Sequence, residues 1–184
     1  MTNEIWSEVL GDGLAVSLEL PVGPSERPIT AGDSAAHLLE AIALIEDAGP
    51  QRPKDEPQAP DLQRLEVKID LLTDLVSSLL ADRIPRGTPV TVSADGLVLS
   101  TCSLASDCDR IEIYPCHWLA QPVVLELGPI LVRDGVCGAS WRSPDPVLRD
   151  AIGRWVFRIH RREVARRRMQ GGAVAGPDVS RRDL

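Results

Sequence analysis

Residues 89–101 read PVTVSADGLVLST. Val90 and Val92 alternate with Thr91 and Ser93, the pair Asp95-Gly96 follows, and Leu97 and Leu99 alternate with Val98 and Ser100. Period two on both sides of an Asp-Gly pair marks a β-hairpin. The same period recurs outward from it, in DRIEIYP (109–115), PVVLELG (122–128), PILVR (129–133) and GVCGASWR (135–142). Asp107 to Asp109, Gly128-Pro129 and Asp134-Gly135 separate these runs as turns. Short strands at such close spacing predict a small antiparallel β-barrel. Upstream, GLAVSLEL (13–20) alternates Leu14, Val16, Leu18 and Leu20 with smaller or polar residues, which predicts one more half-buried strand. Pro21, Gly23 and Pro24 are expected to end it.

Three helices complete an α+β fold class. The first is expected from Thr30 to Ala48, with Thr30 and Asp33 as a capping box or Ser34 as a competing start. Its apolar residues Ala35, Leu38, Ile42 and Ile45 step by three and four, and Gly49-Pro50 stops it. A proline-rich linker, residues 49–60, follows. The second helix is DLQRLEVKIDLLTDLVSSLLADR (61–83). Leu62, Ile69 and Val76 occupy heptad position a, and Leu65, Leu72 and Leu79 occupy position d. Such a seam serves either a hairpin between the two helices or an intermolecular bundle; six regular positions favour the bundle. Ile/Val at a with Leu at d favours a parallel dimer. Leu71, Leu75 and Leu80 widen the stripe, which favours a higher order or docking of the first helix on it. The last helix is expected to open at Ser143-Pro144, to carry Leu148, Ile152, Trp155, Val156 and Ile159 on its apolar face, and to end at Gly171-Gly172.

The chain has 184 residues, of which 43% are hydrophobic. Residues 1–82 hold 16 acidic and 5 basic side chains, net −11; residues 83–184 hold 11 and 15, net +4. An acidic front half argues against general nucleic-acid binding, even with Arg161, Arg162, Arg166, Arg167 and Arg168 on the last helix. The first residues, MTNEIWSEVL, carry no basic leader or apolar core, and no apolar run reaches ~18 residues. The expectation is a cytoplasmic chain with no membrane span. Cys102, Cys108, Cys116 and Cys137 fit no zinc spacing and are expected to be reduced and buried. His37, His117 and His160 stand far apart in sequence, and no nucleophile–base, phosphate-loop or metal motif appears, so neither an enzyme nor a metal or other cofactor is expected.

The order of VTVSADGLVLS (90–100), VCGASW (136–141) and WVFRIHRREVARRR (155–168) resembles the PilZ family. The resemblance covers roughly residues 84–170 and implies a β-barrel followed by a helix. PilZ domains are receptors for cyclic di-GMP, through an R-x-x-x-R motif before the barrel and [D/N]-x-S-x-x-G at a turn. The matching positions are Arg83, Arg86, Ser93 and Gly96, the candidate ligand residues. Both motifs depart from the pattern: Arg83 and Arg86 have two residues between them, and Thr91 stands where the family has a carboxylate or amide. Little or no dinucleotide affinity is therefore expected. The departures leave room for structural readings too: a hairpin turn at Ser93–Gly96, and helix-terminal charge at Arg83 and Arg86. The front of the usual barrel is replaced by helices, and the strand at 13–20 is a candidate for the missing pairing.

The preceding heptad helix resembles an atypical, self-associating PilZ variety tied to signalling and type IV pilus motility. That resemblance places a homotetramer ahead of a dimer, held by Leu62, Leu65, Ile69, Leu72, Val76 and Leu79. The expected layout is a strand and loop (1–29), a helical oligomerisation region (30–83), the barrel with its C-terminal helix (84–170) and a disordered tail (171–184). Two functions compete. One is a non-enzymatic adaptor that docks an unidentified protein in a cyclic di-GMP or pilus pathway; the other is a cyclic di-GMP receptor.

Overall fold

The computed structural model describes residues 6–47, 60–80 and 84–172. Arg83, the linker up to Ala59 and the tail beyond Gly172 lie outside them. The elements run α1 (Ser7–Leu10), β1 (Ala15–Pro24), α2 (Gly32–Asp47), α3 (Pro60–Leu80), β2 (Gly87–Ser93), β3 (Gly96–Leu99), β4 (Arg110–Ile113), β5 (Val123–Glu126), β6 (Leu131–Arg133), β7 (Val136–Ser140) and α4 (Pro146–Gly172). The seven strands form one antiparallel sheet in the order β5-β4-β1-β2-β3-β7-β6. It curls without closing. A single bridge, Leu127 to Trp141, brings the end of β5 to the end of β7, so "barrel" describes the fold only loosely.

β1 does supply the upstream pairing. Ala15 to Pro21 lie along β2, from Ala15↔Ser93 to Pro21↔Gly87, and Val22 to Pro24 then lie along β4. The expected stop at Pro21 is therefore corrected. Pro21 sits where β1 leaves one neighbour and joins the other. Its missing N–H is not demanded there, while its carbonyl accepts from Tyr114 N at 3.1 Å.

The inner face of the sheet supplies Val90, Val92, Leu97, Leu99, Ile111, Ile113, Leu125 and Leu127 to a single core, closed by Ile42 of α2 and by Ile152, Trp155 and Val156 of α4. On the other face Trp6, Val9 and Leu10 pack with Val98 as a separate small cluster. α1 was not anticipated, because four residues are too few to show a helical period.

Two capping expectations are also corrected. Thr30 does not cap α2: its N–H donates to Val124 O (3.0 Å) and its Oγ1 accepts from Val124 N (2.9 Å), which satisfies the otherwise open edge of β5. Ser143 has φ +44°, and the cap of α4 is Asp145, whose Oδ1 accepts from Val147 N at 2.9 Å. Pro146 then takes the first helical position.

α2 packs against α4, not against α3. Its buried residues are Ala35, Ala36, Leu38, Leu39, Ile42 and Ala43, whereas Ile45, expected inside, and Leu44 are exposed. Arg154 reaches Glu40 (3.0 Å), Arg158 reaches Asp47 (4.0 Å), and Arg162 holds both Glu46 and Asp47. The basic face of α4 is thus partly matched to the acidic end of α2 in the same chain.

Candidate functional site

Two regions compete as the functional surface: the turn between β2 and β3, and the flank of α3.

The turn is tied from every side. Ser93 is fully buried, and its Oγ accepts from Asp95 N (3.0 Å) and Gly96 N (3.1 Å). Its carbonyl accepts from Trp141 Nε1 at 3.4 Å. Asp95 O accepts from Trp141 N at 2.9 Å, and its carboxylate pairs with Arg149 at 2.5 Å. A Cβ on Gly96 would lie 2.5 Å from Val9 O and 2.6 Å from Ala139 O. The glycine therefore admits the chain's own backbone at this point.

Arg86 is exposed and precedes β2, whereas Ser93 ends it. Seven residues at a strand rise of ~3.3 Å put the two about 20 Å apart. Of the four sequence-derived ligand positions, Ser93 and Gly96 come together, Arg86 stands at the far end of the strand, and Arg83 is outside the described residues. The Arg149–Asp95 tie had no sequence signal, since the partners are far apart in the chain.

A cleft of about 520 Å³ opens between β1, the segment Pro115–His117 and the C-terminal half of α4. It brings His117 and His160 to one place, with Arg162, Arg166 and Arg167 on its wall. These arginines are matched by acids: Arg162 by Glu46 and Asp47, Arg167 by Glu163 at 2.8 Å and Arg166 by Glu163 at 3.7 Å. The Glu46 partner pushes the Arg162 pKa further up. Among the described residues no three His, Cys, Asp or Glu side chains are placed to hold a metal ion.

α3 carries a different chemistry. Leu62, Leu65, Ile69, Leu72, Val76 and Leu79 are all exposed, from 46% to 71%. Val67, Leu71 and Leu75 are exposed too, and of the α3 side chains described none is buried. On the side facing the chain's own body, Leu72, Val76 and Leu80 line an open apolar cleft with Leu119, Ala120 and Gln121. Contiguous exposed apolar surface of this kind is characteristic of interaction surfaces. Among the described residues no helix is long and apolar enough to cross a membrane.

The curled antiparallel sheet with its trailing helix defines a PilZ-type fold. The family described as "Atypical PilZ domain, cyclic di-GMP receptor" matches residues 39–169, well over half of the chain, and the chain belongs to it. The matched stretch leaves out β1, although β1 lies inside the sheet, between β4 and β2. Among solved structures, the chain is similar to a pathogenic protein from Xanthomonas campestris described as a new tetrameric PilZ domain self-assembled via an unusual helical bundle. The TM-score is 0.70 at 24% identity, over 88% of this chain and 96% of that one, a likeness that speaks for the fold. No curated protein matches.

Proposed function

We propose that the chain is a non-enzymatic PilZ adaptor that assembles through α3 into a homotetramer and presents several sheets around a helical bundle. The observation that carries this reading is the exposure of all six a and d positions of α3 on a helix where none of the described side chains is buried. The tetrameric neighbour, self-assembled through a helical bundle, supports the order of the assembly. Its partners are proteins of a cyclic di-GMP or type IV pilus pathway, and its place is the cytoplasm. The motif residues serve the fold: Ser93 and Gly96 shape a turn, and Arg86 lies away from it.

The family's description as a cyclic di-GMP receptor favours a second reading, in which the dinucleotide binds at the start of the sheet through Arg83, Arg86, Ser93 and Gly96. Calorimetric titration of the assembled chain with cyclic di-GMP separates the two. The adaptor reading expects no heat at micromolar dinucleotide. A Kd tighter than ~1 μM, about −8 kcal/mol, abolished by Arg86→Ala, would move the chain to the receptor class.

A further inference from the structure

The outer face of β3 and β7 is shaped to receive a short helical segment. Its floor includes Gly138, where a Cβ would lie 3.2 Å from Trp6 Cε3, and Gly96, where one would lie 2.5 Å from Val9 O. Val98 is buried beneath the segment, and Ala15, Leu131 and Val136 border it half-buried. Arg133 forms the rim and reads two features at once. Its guanidinium lies 5.6 Å from the Trp6 ring centroid and pairs with the Glu8 carboxylate.

What fills this face is one turn of helix, Trp6 to Leu10, with Trp6 O accepting from Val9 N (3.0 Å) and Leu10 N (2.9 Å). The cluster it makes is separate from the main core. It is joined to β1 through residues 11–14, of which Asp12, Gly13 and Leu14 are exposed. Small peripheral clusters next to exposed connectors open more readily than the core.

We propose that the β3–β7 face is a peptide-docking groove, held in cis by Trp6–Leu10, that takes in trans a helical segment of a partner protein. That segment carries an aromatic residue, an acid two positions on, and aliphatic residues three and four positions on. The occupant is specified by the groove: bare glycine for a flat ring, one arginine for ring and carboxylate together, and an apolar floor for two aliphatic side chains. The tethered copy competes at an effective concentration of roughly millimolar, so trans binding is suppressed in the intact chain.

The test is a full-length chain with a protease site inserted between Asp12 and Gly13, where a Cβ on Gly13 has nothing within 4 Å. After cutting, a fluorescein-labelled peptide of residues 4–12 is titrated and followed by anisotropy, with circular dichroism reporting the fold. The expected result is exchange of the native segment for the labelled peptide. Binding should be at least about tenfold weaker in the uncut chain, and similarly weakened by Arg133→Glu or by Trp→Ala in the peptide. No binding to a folded, cut chain up to about 1 mM peptide, a free energy of roughly −4 kcal/mol, overturns the proposal. So does binding indifferent to Arg133→Glu. Unfolding of the chain on cutting overturns it as well, because the segment would then be an integral part of the fold.

Discussion

At Ser93 and Gly96 a pair of residues that resembles a ligand motif is used up by packing. Ser93→Ala leaves the N–H groups of Asp95 and Gly96 without their acceptor in a largely buried turn, a cost of about 1–3 kcal/mol. Gly96→Ala drives a methyl group into two backbone carbonyls, which costs about 1–3 kcal/mol or more. Thermal denaturation should show both losses. An unchanged melting temperature for Gly96→Ala would mean that α1 is not seated as described. Burial also pushes the Cys116 and Cys137 thiols from the usual 9.0 up to about 11. Below pH 9 both are protonated in the folded and the unfolded chain. Between pH 9 and about 11 the unfolded chain gives up these protons and the folded chain keeps them, so stability falls as pH rises through that window. Denaturant melts at pH 8 and 10.5 should show the fall, and Cys116→Ala should flatten part of it. Ser93 and Gly96 were legible as a hairpin turn because Asp-Gly chemistry is local. The seating of α1 over Gly96 and the grip of Trp141 on Ser93 depend on residues far away in the chain, and no local pattern records that.

Elements were legible where a period could run. The strands β2 to β7, the body of α4 and the heptads of α3 all show theirs. β1 was visible up to Leu20, but the crossing from β2 to β4 at Pro21 was not, because local chemistry reads proline as a stop. Thr30 misled for a similar reason: a helix cap and a strand-edge partner need the same hydroxyl and N–H. Likewise Ile45 fits the helical step, yet the end of α2 is steered by charge, with Arg158 and Arg162 drawing Glu46 and Asp47 towards α4. Arg162→Ala removes the partner of Glu46 and one of the two partners of Asp47. These side chains are partly exposed, so the expected loss is only about 1 kcal/mol, and it should shrink in high salt. Urea melts at low and high ionic strength check this. A loss several times larger would mean that the helix pair is held by charge and not by its apolar face.

Taken whole, the molecule is a packed sheet with α2 and α4 on its inner face and the short α1 on its outer face, plus one helix, α3, whose apolar flank its own body leaves exposed. The acidic front half opposes assembly by charge, so an assembly must be driven by apolar burial on α3. It should then persist in about 1 M salt, where the screening length is about 3 Å. The claim on which the rest depends is that this flank is covered by copies of the same chain. Sedimentation equilibrium of the intact chain beside an Ile69→Lys/Leu72→Glu variant tests it most directly. An isolated helix of this length is marginal in water, so the variant should also lose helical circular dichroism while keeping its sheet signal. The wild type should sediment with a mass of four times the 20.0 kDa chain, and the variant as a monomer. A monomeric wild type, or a variant that remains a tetramer, would contradict the claim.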